Sequence, residues 1–118
     1  MPPALPLPPL ELRELVGVTD PEPYDNPTGA PIFDGLAADA WRTYLDFGCG
    51  CGRSARRLMQ QAPRPQRYIG VDLHRGMVRW CQENLAPLAD GFESSTTTCT
   101  ARGLTWIVSE CSRQLGAR

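Results

Sequence analysis

The stretch Tyr44-Leu45-Asp46-Phe47-Gly48-Cys49-Gly50-Cys51-Gly52 decides the fold. An apolar run of strand type, Thr43–Phe47, carries an acid, Asp46, at its end and passes into alternating glycines. Glycines at 48, 50 and 52 remove side chains where the chain turns sharply, and they let a ligand touch bare backbone. Downstream, Ser54 to Gln61 reads as a helix with Ala55, Leu58 and Met59 on one face, and Pro63 and Pro65 end it. Arg67-Tyr68-Ile69-Gly70-Val71-Asp72 is a second strand. A second helix from about Arg75 to Leu85 puts Met77, Val78, Cys81 and Leu85 on one face. Strand, helix, strand, helix with short connections is the start of a right-handed parallel α/β unit.

Upstream, residues 1–9 are proline-rich and extended. Leu10 to Val16 spaces apolar residues for one short helix, stopped by Gly17. Prolines 21, 23, 27 and 31 with glycines 29 and 35 forbid regular structure from Asp20 to Gly35. Leu36, Ala37, Ala40 and Trp41 predict a short helix before the first strand. The chain thus divides into a proline-rich segment with a covering loop (1–36), a βαβα portion (37–92) and an atypical tail (93–118).

At 118 residues the chain fits one small domain. A net charge of −1 advertises neither nucleic acid nor an acidic membrane surface. No apolar run approaches the roughly 20 residues that span a bilayer. The N-terminus lacks a basic start and is broken by prolines, a poor signal peptide, so the expectation is a cytoplasmic protein. Five cysteines without a regular framework argue against a secreted disulfide scaffold.

Asp46 discriminates between cofactors. A dinucleotide fold uses G-x-G-x-x-G and sets pyrophosphate on the following helix. Here the spacing is G-x-G-x-G, two residues after a carboxylate that repels pyrophosphate and suits an ammonium group. Asp72 ends the second strand 20 residues beyond Gly52, at the sheet edge where open α/β folds bind ligands. An acid there accepts both ribose hydroxyl hydrogens, with Leu73, His74 and Met77 placed to border an adenine. Together the two acids point to S-adenosylmethionine.

Residues 44–85 resemble the first half of a class I S-adenosylmethionine-dependent methyltransferase of bacterial type. Asp46-Phe47-Gly48-Cys49-Gly50-Cys51-Gly52 is similar to that family's acid-x-G-x-G-x-G signature, and Gly70-Val71-Asp72 to its ribose-binding segment. Met77-Val78-Arg79-Trp80-Cys81-Gln82-Glu83-Asn84-Leu85 resembles the sequence that follows in bacterial members. The resemblance implies the N-terminal half of a Rossmann-like, three-layer α/β/α fold with an incomplete parallel sheet. It implies a loop backbone at Gly48–Gly52 that cradles the methionine part, and Asp72 on the ribose. The expected cofactor-binding set is Asp46, Phe47, Gly48, Cys49, Gly50, Gly52, Asp72, Leu73 and Met77. The methyl acceptor, the catalytic residues and the oligomeric state are not assigned. The competing functions are a nicotinamide-dependent oxidoreductase fragment and a non-catalytic regulatory module.

Other residues carry weaker signals. Cys49 and Cys51 lack the four-ligand set of a zinc site, although a helix N-terminus beside Cys49 favours a reactive thiol. His74 is either a general base or a solvent-facing residue at the adenine edge. Arg53, Arg56 and Arg57 read as a solvated helix face rather than a phosphate patch. Tyr24, Asn26 and Phe33 form either a lid over the cofactor or simple loop packing.

After Phe92 the composition shifts sharply toward Ser and Thr, no clear further strand–helix unit follows, and Thr105 to Val108 is a weak strand candidate. The family's third acidic segment is missing from the tail as written. Moving the codons of Ser95 to Gly103 back by one base permits an Asp, aliphatic, aromatic order of the expected kind. All twelve basic residues are arginine, as a GC-rich gene encodes. The expectation is therefore a frameshift near Glu93–Ser95, with little or no turnover by the chain alone.

Overall fold

A computed structural model describes residues 5–96. Three parallel strands form one open sheet: β1 (Thr43–Phe47), β2 (Arg67–Asp72) and β3 (Phe92–Thr96), in the order β1-β2-β3. The helices are α1 (Leu10–Val16), α2 (Arg53–Met59) and α3 (Arg75–Asn84). Short 3-10 turns occupy Glu22–Tyr24, Ala38–Trp41 and Ala86–Leu88. The arrangement is a partial Rossmann-like α/β fold, as the sequence predicts.

Both expected strands keep their bounds, and Gly17 ends α1 in the left-handed region at φ 77°. The helix expected before β1 is a 3-10 turn. One element departs from expectation. The sequence supports two strands only, yet Phe92–Thr96 pairs with β2 in parallel register, Tyr68 opposite Phe92 and Asp72 opposite Thr96. Phe92 and Ser94 face inward, and their three neighbours on the strand are exposed. A single apolar side chain is too weak a local signal, so pairing with β2 makes this strand. The Thr105–Val108 candidate and most of the tail lie outside the described residues.

The core occupies one face of the sheet. Ala55, Leu58 and Met59 of α2 and Cys81 of α3 share a cluster with Tyr68 and Phe92, so both helices pack on the same side. An aromatic row crosses that side near the strand starts. Trp41, Tyr44, Tyr68 and Phe92 stack in sequence with centroids 6.3, 6.1 and 5.1 Å apart. On the opposite face Leu45 is half exposed. Among the described residues no helix is long and apolar enough to cross a membrane.

The helix α2 is not the solvated face expected of its arginines. Arg56 is 5% exposed and pairs with Asp25 at 2.8 Å. Its guanidinium also donates to the Tyr24 carbonyl at 3.0 Å and the Leu5 carbonyl at 3.2 Å. The proline-rich N-terminal segment supplies carbonyls that no periodicity argument sees. Arg53 is exposed and Arg57 partly so, as expected.

Candidate functional site

The β1–α2 turn folds back over the end of β2. The amides of Gly48 and Cys49 both donate to the Val71 carbonyl, at 2.8 and 3.0 Å. Gly48, Gly50 and Gly52 sit at φ 83°, 57° and 90°, a region that side chains strongly disfavour. The alternating glycines are thus required by the turn itself.

A cleft of about 360 Å³ lies against this loop. Of the expected residues, Asp46, Phe47, Gly48, Cys49, Gly50, Asp72 and Met77 line it. Gly52 does not; it packs beneath α3, against Leu85 and Cys81. Leu73 is half exposed and outside the lining. Sequence reasoning missed the opposite wall, Leu15, Val16 and Val18, from the end of α1 and the turn after it. Their separation in sequence from the loop hides them. Arg53 and Ser54 complete the rim.

Asp72 holds the loop in place. One carboxylate oxygen accepts from the Gly50 amide at 2.9 Å, and the other from the His74 amide at 2.9 Å. Asp46 is tied differently, accepting from the Tyr68 hydroxyl at 2.7 Å. Burial pushes the Asp46 carboxyl above its ordinary range. The Tyr68 hydrogen bond opposes this, the charge of Asp72 adds to it, and that of Arg53 counters it.

The remaining candidates take structural places. His74 is exposed, and its Nδ1 accepts from the Met77 amide at 3.1 Å as the N-cap of α3. The Cys49 thiol is buried, and desolvation first, then Cys81 and Asp46, raise its pKa. The expectation of a reactive thiol is therefore corrected: burial outweighs any helix terminus. Tyr24 is fully buried beside Cys51 and Met77, with its hydroxyl donating to the Val18 carbonyl at 2.8 Å. Asn26 bonds to Arg57 on α2 and to Gln60 just past its end, and Phe33 stacks on Trp41. These three pack and brace the loop; they do not cover the cleft. Among the described residues no group of His, Cys, Asp and Glu side chains is placed to hold a metal ion.

A family model described as a methyltransferase domain matches residues 45–109, more than half of the chain. The match runs from β1 through β3 and past residue 96. No solved structure matches the chain.

Proposed function

The chain belongs to the methyltransferase domain family, of the class I type that generally uses S-adenosylmethionine, and from that premise we propose that its glycine-loop cleft binds this cofactor for methyl transfer. One observation carries the reading. Asp46, one residue before the end of β1, and Asp72, the last residue of β2, stand on adjacent strands, and both line a single cleft with the glycine loop between them.

The residues fit the cofactor's chemistry. An ionised carboxylate has about four acceptor sites. Asp72 spends one on each oxygen, so both oxygens retain capacity for a pair of ribose hydroxyls. Asp46 is a partly buried carboxylate, and an incoming ammonium group stabilises its charged form. Glycine at 50 keeps the wall low: a Cβ there would stand 3.2 Å from Val16 Cγ1 and 3.7 Å from Met77 Sδ. A pyrophosphate at the same place would meet the Asp46 charge, which counts against a nicotinamide dinucleotide.

When bound, S-adenosylmethionine supplies a methyl group already activated by its sulfonium centre. The protein's part is positioning, with Asp46, Asp72 and the loop amides orienting the cofactor. The acceptor side is not assigned to these residues, and we assign little or no turnover to residues 1–118 alone.

Isothermal calorimetry with S-adenosylmethionine, S-adenosylhomocysteine and NAD tests the reading. Expected are binding of the first two, no binding of NAD, and at least a tenfold (~1.4 kcal/mol) weaker interaction in Asp72→Asn. Preference for NAD, or no binding of either adenosyl compound, overturns it. Multiple-turnover methyl transfer by purified residues 1–118 would refute the assignment of low activity.

A further inference from the structure

We propose that Tyr68 is the positioning residue for Asp46, orienting that carboxylate for the cofactor's ammonium group through a path opened by Gly70. The proposal deepens the S-adenosylmethionine reading above and rests on it.

The parallel register sets Asp46 directly opposite Gly70. Tyr68 lies two residues earlier on β2 and so on the same face. To reach Asp46 its ring must run along the strand across position 70. A Cβ at Gly70 would stand 2.8 Å from the Tyr68 hydroxyl oxygen, 3.0 Å from its Cε1 and 2.8 Å from the Cys49 Cβ. Glycine at 70 is therefore what admits the phenol. The bond that results is short, 2.7 Å, and Tyr68 is only 1% exposed.

The ring is held on both sides. Tyr44 stacks at 6.1 Å and Phe92 at 5.1 Å, each within about 14° of parallel. Phe92 comes from β3, the strand with the weakest sequence signal, so the third strand reaches the first acid through one aromatic ring. The other ionisable groups acting on Asp46 are Asp72 at the end of β2 and Arg53 of α2. Tyr44 on its own strand, Cys49 on the loop and Cys81 on α3 also feel its charge. Burial disfavours the charged carboxylate, and among the described residues the Tyr68 hydroxyl is the one side-chain hydrogen bond that opposes this.

Without that hydroxyl Asp46 protonates more easily, and a neutral acid pairs poorly with an ammonium group. The resulting defect depends on pH, greatest in acid and recovering as pH rises. A merely structural role for Tyr68 would weaken binding equally at every pH.

Two measurements on the full chain test this. Carboxyl-carbon NMR follows the Asp46 titration without ligand in wild type, Tyr68→Phe and Gly70→Ala. The expected result is an upward move of the Asp46 midpoint in both variants, since Gly70→Ala displaces the hydroxyl while retaining it. Calorimetry with S-adenosylmethionine should show Tyr68→Phe about tenfold weaker than wild type in mild acid, converging toward it in mild alkali. An unchanged Asp46 titration, or a loss of affinity independent of pH, overturns the proposal. Failure of wild type to bind the cofactor defeats the functional reading instead, while the ligand-free titration still judges the Tyr68–Asp46 link.

Discussion

Gly52 shows how much of this site depends on a side chain that is absent. It precedes α2 at φ 90°, and a Cβ there would lie 2.6 Å from Leu85 Cδ1 and 3.1 Å from Cys81 Sγ. The α3 side chains therefore rest directly on the loop backbone. Gly52→Ala adds left-handed strain to an overpacked contact, and the two together cost about 2–4 kcal/mol. Urea unfolding should show a lower midpoint with an unchanged m-value. The glycine pattern is legible from sequence because the turn demands it at three spaced positions. Its division of labour is not: Gly50 faces the cleft, while Gly52 faces α3. Arg56 fails for a related reason. Helical periodicity describes one helix and its own stripe, and the carbonyls that bury Arg56 come from Leu5 and Tyr24.

Among the elements, α1 owes its place to others. It is seven residues long, has no buried residue and has no side-chain cap. A helix of that length is marginal alone in water. Its end nevertheless forms a wall of the cleft through Leu15 and Val16. Tyr24 fixes the following turn, its hydroxyl donating to the Val18 carbonyl and lying 3.8 Å from Cys51 Sγ. Tyr24→Phe keeps the ring and removes that bond, at a cost of about 1–2 kcal/mol. Hydrogen exchange should show α1 amides losing protection first, ahead of those in β2. Equal loss across both elements would mean that Tyr24 serves the whole core. The bounds of β1, β2 and α1 were legible because each carries its own period and stop. The third strand was not, since Glu93, Ser95 and Thr96 are exposed and the strand exists by pairing with β2.

For the molecule as a whole, the glycine loop is built from thiols as well as glycines, and this sets how stability responds to alkali. Cys49, Cys51 and Cys81 are free and buried. Burial is the first cause raising the pKa of each, and the Cys81 thiol is pushed from 9.0 up to about 12. The buried hydroxyls of Tyr24 and Tyr68 move in the same direction for the same first cause. Below pH 9 both the folded and the unfolded chain keep the Cys81 proton. Between 9 and about 12 the unfolded chain releases it while the folded chain retains it. The folded state then binds more protons, so stability falls as pH rises through that window. Each such group contributes a slope of about 1.4 kcal/mol per pH unit. Arginine remains charged throughout, so the basic side chains add nothing to this limb. Urea titrations at stepped pH should show stability declining above pH 9, with Cys81→Ala reducing the slope by about one proton's share. The same burial predicts little reaction of Cys49, Cys51 and Cys81 with an alkylating reagent at neutral pH and full reaction after unfolding. Rapid native modification of Cys49 would mean that the loop opens on its own, and that α3 does not hold it shut as the packing at Gly52 requires.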